Sequence, residues 1–453
     1  MAKGAKKRIV IQEQKLKKRL LLISFIILIG KLVLILSVRN GGWLGADGES
    51  YLKGVDGLIK SGLFSKEPLL DYWPAGYPIL LWILTFFSLS KLIYLVSILQ
   101  TFLYFVASAF LVERLRLTRI SNLALPTALV LGLNPTLSLS SLAVGYESLV
   151  ASCMLASIAL VIRYQQGDRN RRNLLWTILW IGLIQGFSGF MQPRGLLIGF
   201  FIFLFWGAFH NSWKHFTAIV ILATCVMMIL PAGLMLRNSQ AGNGFVISRN
   251  LGATMSLGAG DKATGGYGNT GGVTCPSTPP ATSATDSQLV RCTINWYEKH
   301  PGKTVVLAVK KSMYFWSPWY GPLANGTMAR NPWLKMDPIK GVDANSRAGH
   351  NLVYGWFGKV ISWIWLLSGL FLFFTGLFWL WNKGGLERQL GVLTAVPVFL
   401  AWLTAIGTIG DHRFRLPTMG LSLFLQIAGY FGLKARFSRS RGRATLEPRG
   451  RAR

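Results

Sequence analysis

Of the 453 residues, 51% are apolar and only 14% are charged, against about 25% charged in soluble domains. The mean hydropathy is +0.41, which excludes an ordinary soluble globular domain. The net charge of +31 does not mark a nucleic-acid binder. Much of it sits in two tails and in short loops between apolar runs, where basic residues set membrane topology and attract anionic lipid.

Residues 1–19 form the first basic tail, MAKGAKKRIVIQEQKLKKR. The apolar run Leu20–Val38 is too long for a signal-peptide core, and Asn40-Gly41-Gly42 is a poor cleavage site, so it is expected as a retained first span. Lys31 lies inside it. It is either a functional buried charge or a snorkelling one. Residues 39–90 then fall outside. Their apolar stretch Tyr77–Leu89, about 13 residues, is too short to cross comfortably and reads as interfacial or re-entrant.

The second span, Lys91–Val112, ends inside at ERLRLTR, and the third rises to Asn134-Pro135. The fourth, Ser148–Ile162, meets RYQQGDRNRR inside. The fifth ends outside at Met191-Gln192-Pro193-Arg194. The sixth, Gly195–Phe209, is short and leads to HNSWKH inside. The seventh ends near Leu236. The eighth, Tyr354–Trp381, ends inside at Asn382-Lys383. The ninth ends outside at GDHRFR, and the tenth delivers the basic tail 434–453 inside.

The expected fold is therefore an all-α polytopic membrane protein. It has about ten transmembrane helices, interfacial helices in the first outer loop, and one large outer loop. The core divides into 20–236 and 351–433, both termini are cytoplasmic, and the setting is a cell membrane.

The large outer loop covers 237–350. Its first half contains LGAGDKATGGYGNTGG, rich in turn formers. The second half, Thr293–Trp319, reads as one or two helices lying at the membrane surface. Cys275 and Cys292 both fall in this loop, where they form either a disulfide or two unpaired thiols. Cys153 and Cys225 lie in spans as packing residues.

Chemistry-bearing residues gather at the outer ends of the spans. Asp47, Glu49 and Asp71 occupy the first outer loop. Each is a candidate general base, a metal ligand or a solvated loop charge. Glu147 tops the fourth span, Arg194 follows the fifth, and Arg413 and Arg415 precede the tenth. Arginine makes bidentate hydrogen bonds to phosphate. Carboxylates and arginines on one membrane face describe a site for a phosphorylated substrate. No His or Cys cluster has metal-ligand spacing, so no metal site is assigned and the need for a divalent cation stays open.

In order along the chain, several stretches resemble the glycosyltransferase C superfamily. The similarity is to bacterial membrane transferases related to protein O-mannosyltransferases and the lipid A aminoarabinose transferase. They are Asp47-Gly48-Glu49-Ser50-Tyr51, Pro74-Ala75-Gly76-Tyr77-Pro78, Asn134-Pro135 with Glu147, and Pro193-Arg194. Further along come Arg237-Asn238, Ser248-Arg249-Asn250-Leu251-Gly252, His300-Pro301-Gly302 and Arg413-Phe414-Arg415-Leu416-Pro417. The sequence departs from the family in two places: Gly48 separates the first two acids, and the tandem proline is Pro-Ala.

The resemblance implies a sugar donor on a polyprenyl phosphate and an acceptor hydroxyl on a lipid, protein or glycan. It implies Asp47 as the base, with Glu49 as the alternative, and inversion at the anomeric carbon. Arg413 and Arg415 would hold the phosphate, aided by Lys310, Lys311 and Arg194. Tyr51, Asp71, Tyr77 and Glu147 would support the site. The rival reading is a transporter or flippase for a cell-envelope intermediate, which would place ionisable residues at mid-membrane.

Overall fold

The computed structural model describes residues 2–37, 42–44, 47–210, 212–267, 272–275, 285–317 and 356–444. The regular structure in these segments is helical, apart from one short bridge between two extended segments. An apolar chain in lipid has to satisfy its backbone internally, and a helix does this within each run.

The first helix, α1 (Ala2–Ser37), leads through a two-residue strand β1 (Trp43–Leu44) into the first outer loop. That loop folds as α2 (Gly48–Ser61), α3 (Leu69–Tyr72) and α4 (Gly76–Thr85). α4 is apolar but only ten residues long, as the sequence predicts for an interfacial helix. Then follow α5 (Leu92–Arg116), α6 (Ala124–Leu133), α7 (Pro135–Leu139) and a second strand, β2 (Ala143–Val144). The core continues with α8 (Glu147–Gln166), α9 (Arg171–Met191), α10 (Arg194–Ala208) and α11 (Trp213–Gln240). The outer loop contributes α12 (Leu251–Leu257), α13 (Asp286–Lys299) and α14 (Pro301–Trp316). The chain closes with α15 (Trp356–Lys383), α16 (Gly385–Gly407) and α17 (Leu416–Ala444).

Among the described residues, eight helices are long and apolar enough to cross a membrane. The α6–α7 segment, bent by 54°, makes a ninth if it is one span. The bend falls at Asn134-Pro135. Proline cannot donate to the preceding turn, and the Asn134 side chain restarts the helix by accepting from Leu137 N at 2.9 Å. α10, at 15 residues, is the expected short sixth span. With both elements included, the order matches the ten spans expected from the sequence. The start of the eighth span at Tyr354, the segment 318–355 of the outer loop and the tail beyond residue 444 lie outside the described residues.

Lys31 does not snorkel to an interface. It is 6% exposed, donates to the Ser138 carbonyl at 3.0 Å, and sits over the Tyr104 ring. It ties α1 to the bent segment. Close helix approach depends on glycine. A Cβ on Gly376 of α15 would lie 1.9 Å from Leu425 O, and one on Gly429 of α17 would lie 2.1 Å from Leu372 O.

The second half of the outer loop forms two helices, as expected. α13 starts on a capping box between Thr285 and Gln288, and α14 starts at His300-Pro301. α14 keeps Val305, Val306 and Val309 exposed, the outward apolar face of a helix lying at a bilayer surface. Cys275 and Cys292 are joined as a disulfide.

Span alternation places the first outer loop, α12–α14 and Arg413 at one end of the bundle, and the basic loops at the other. The positive-inside rule makes the basic end the expected cytoplasmic one. In a background with Cys225 replaced by Ser, Asp56→Cys and Lys303→Cys should react with an impermeant thiol reagent in intact cells, and Lys214→Cys should not. Labelling of Lys214→Cys alone would invert the protein in the membrane.

Candidate functional site

The site begins with a backbone device. β1 and β2 pair in parallel, Trp43 with Ala143 and Leu44 with Val144. Asp47 lies three residues beyond Leu44, and Glu147 lies three residues beyond Val144. Equal offsets from a parallel bridge bring the two acids to one place. Gln100 anchors the second strand from α5, donating to Ser141 O at 3.0 Å and Ala143 O at 2.8 Å. Tyr77 locks the following turn by accepting from Gly145 N at 2.8 Å. A Cβ on Gly145 would lie 2.4 Å from the Glu147 carboxylate, so a side chain there would push that carboxylate from its place.

Arg413 fills the space between the two acids. Its Nη1 donates to Asp47 Oδ2 at 2.7 Å, and its Nε donates to Glu147 Oε1. The arginine is presented by a tight turn, His412–Arg415. The Asp411 side chain caps that turn by accepting from Arg413 N at 2.8 Å. Burial pushes the Asp411 carboxyl up to about 7. Tyr51, on the first turn of α2, packs edge-on against Trp73, Tyr77 and Tyr146. Burial first, then the nearby Tyr146 and Asp47, hold its hydroxyl well above the usual phenol range.

This cluster forms one wall of a cavity of about 540 Å³. Asp47, Tyr146, Gln192, Arg194 and Arg413 all line it. Gln192 donates to the Tyr146 hydroxyl at 2.9 Å. The Arg194 guanidinium stacks 3.8 Å from the centre of the Phe414 ring and has no carboxylate partner among the described residues. The remaining walls include Ile247, Leu251, Leu257 and Ile409, with Tyr72, Tyr267 and Asp286 among their polar groups. A cavity with an apolar floor, a carboxylate and an unpaired guanidinium suits an amphiphile that carries a phosphate.

The other predicted residues have different surroundings. Glu49 is exposed on the outer side of α2. Asp71 does not line the cavity. It accepts a 3.7 Å ion pair from Arg249, and its carbonyl accepts from Arg249 N at 2.8 Å, which fixes the loop before α12. Arg237 and Asn238 clamp the same region. Arg237 donates to Leu63 O and Ser65 O, and Asn238 donates to Val246 O and Ile247 O.

Arg415 points away from the cavity, donating to Trp316 O and Ser317 O. Lys310 is exposed. Lys311 is fully buried and donates to the Tyr297 hydroxyl and to Ile406 O, both at 2.9 Å. Burial draws its ammonium down to about 8. Arg415, Lys310 and Lys311 therefore do not reach the cavity expected to hold phosphate, because backbone carbonyls and solvent take their donors.

Asp286 and Tyr267 were not anticipated as site residues. They belong to the outer loop, where no local pattern signals which side chains fold back onto the bundle. Among the described residues, no group of three or more His, Cys, Asp or Glu could hold a metal ion.

No protein family matches the sequence, and no curated protein matches it. One solved structure that the chain resembles is the archaeal oligosaccharyltransferase AglB from Archaeoglobus fulgidus, in complex with an inhibitory peptide and a dolichol-phosphate. The two share 11% identity and a TM-score of 0.47 over 96% of this chain. The chain spans about half of that protein's length, 53%.

Proposed function

We propose that this protein is a membrane glycosyltransferase. It moves a sugar from a polyprenyl-phosphate donor to a hydroxyl on a lipid, protein or glycan acceptor, with inversion, at the non-cytoplasmic face of a bacterial plasma membrane. The observation that carries this reading is the cavity itself. It places the Asp47 carboxylate and the unpaired Arg194 guanidinium on the walls of one amphipathic space at the outer end of the spans.

The chemistry assigns the roles. Asp47 Oδ2 is held by Arg413, which orients the carboxylate so that Oδ1 can accept the acceptor's proton. The freed oxygen attacks the anomeric carbon from the face opposite the phosphate. The new glycosidic C–O bond forms as the old one breaks, and the bonding electrons leave on the phosphate. Negative charge grows there, so a fixed cation at that end lowers the barrier.

Arg194 fits this duty better than Arg413. Two carboxylates already neutralise Arg413, and a phosphate beside it would meet their charge. Tyr51, Tyr146 and Gln192 hold the acid cluster in place. The apolar walls accept the first isoprene units of a donor that enters from the bilayer.

The transporter reading is weaker. It calls for an ionisable site at mid-membrane, and the mid-span Lys31 is engaged by Ser138 and Tyr104.

Radiolabelled polyprenyl-phosphate sugars, incubated with membranes that contain or lack the protein, test the activity. General-base catalysis contributes about 10²–10⁴-fold. Asp47→Asn should therefore lower turnover at least about a hundredfold, while the exposed Glu49→Gln stays near wild type. Loss with Glu49→Gln and not with Asp47→Asn would move the base to Glu49.

Losing a charge-assisted hydrogen bond typically costs about 1.5–3 kcal/mol. Arg194→Ala should therefore weaken donor use about tenfold or more, while Lys310→Ala does not. Equal donor kinetics in wild type and Arg194→Ala would place the phosphate elsewhere.

A further inference from the structure

The opposite end of the bundle carries a second cavity, of about 560 Å³, between the ends of α5 and α8 and the start of α9. Arg114 from α5 and Arg163 from α8 both line it. Neither guanidinium has an ion pair or hydrogen bond among the described residues. The carboxylate nearest in sequence to Arg114 makes its hydrogen bonds elsewhere: Glu113 accepts from Nε and Nη2 of Arg116, at 2.9 and 2.8 Å.

The buried Nε of Arg114 and Oε1 of Gln166 lack partners, and Gln166 lines the same cavity. Trp176 and Trp180, one turn apart on α9, form the rim and are 51% and 52% exposed. Trp176 also borders a neighbouring apolar cleft of about 530 Å³ with Leu175 and Leu179, and Arg171 and Arg172 lie at the head of that cleft.

We infer that this cavity binds the headgroup of an anionic phospholipid from the basic-side leaflet, with an acyl chain along the adjoining Leu175–Leu179 cleft. Four features point to this occupant. Two unpaired guanidinia on adjacent helices match a phosphodiester. The orphan Gln166 oxygen accepts from a headgroup hydroxyl. Tryptophans mark the level of the membrane interface. Asp168 also lines the cavity, but Arg114 and Arg163 outnumber it and the loop beside it adds Arg169, Arg171 and Arg172, so the pocket stays basic, and basic pockets between spans select anionic headgroups. The site lies at the far end of the spans from the Asp47 cavity, so it does not depend on the transferase reading.

Native mass spectrometry of the full-length protein, delipidated in detergent and titrated with phosphatidylglycerol or phosphatidylcholine, tests the inference. Phosphatidylglycerol should bind several-fold tighter than phosphatidylcholine. The pair Arg114→Gln and Arg163→Gln should weaken phosphatidylglycerol binding about tenfold or more. Lys214→Gln, an exposed cation at the same end, should leave it unchanged.

Arg163→Gln alone alters an exposed side chain, so it reports even if the double variant folds poorly. It should weaken binding several-fold. Soluble glycerol phosphate should not displace the lipid, and displacement would make this a site for a free phosphate. Equal binding of the two lipids, or wild-type affinity in Arg163→Gln, would overturn the proposal.

Discussion

Arg413 bonds to carboxylates that lie 366 and 266 positions away in sequence. Three parts of the chain therefore meet on one guanidinium: the exit of α1, the entry of α8 and the entry of α17. Burying an isolated charge is costly, and even a paired one recovers that cost only with good geometry. The geometry here is supplied from outside the cluster. The β1–β2 bridge sets the separation of the acids, and Asp411 caps the turn that presents the arginine. Removing one partner would leave the others uncompensated, a loss of up to about 3–5 kcal/mol for a fully buried pair. The cluster is therefore a structural joint as well as a wall of the cavity, and nearby substitutions carry both effects.

That joint also sets the electrostatics of the cavity. Two acids on one arginine leave the cluster with a surplus negative charge, which suits a proton acceptor and repels phosphate. The unpaired positive charge on the same cavity is Arg194. Its partner is the face of Phe414, next to Arg413 in sequence, and a ring face attracts a cation without neutralising it. One short turn thus occupies one arginine with carboxylates and leaves another free. Separation of a basic carboxylate from an unpaired cation gives a substrate only one orientation in which both groups are used.

The spans were legible because lipid leaves a chain few options. Each long apolar run became a helix, and the Asn134-Pro135 break became the 54° bend. Asp47, Glu147 and Arg194 were legible as span-end charges, although their pairing was not. A two-residue parallel bridge has no periodicity to read, so nothing local announced that Leu44 would lie beside Val144. Direction was equally hidden. Asp47 is the residue just before α2 and Glu49 lies in its first turn, and the chain's entry into the helix sets Asp47 in the cavity and leaves Glu49 exposed. Arg413 and Arg415 are also two apart, and the tight turn sends one to the acids and the other to the Trp316 and Ser317 carbonyls. Lys31 looked free to reach an interface, but the bend at Asn134 brought the Ser138 carbonyl to it.

The two ends of the bundle solve different problems with the same residue type. At the acid end, arginine is surrounded by carboxylates and aromatic rings, and the outer loop folds onto the bundle, with α12 and the start of α13 lining the cavity. Gly258 and Gly410 permit this contact, since a Cβ on Gly258 would lie 1.8 Å from Thr408 O and one on Gly410 would lie 2.4 Å from the Lys311 backbone. At the basic end, Arg114 and Arg163 have no ion pair among the described residues, although Asp168 lines the same cavity, and they stand beside exposed tryptophans. Loop charge alone, which orients the whole chain, does not distinguish these uses. The distinction comes from what lies within hydrogen-bond reach: a guanidinium enclosed by carboxylates holds the fold, and one left unpaired at the edge of an apolar space is available to a phosphate.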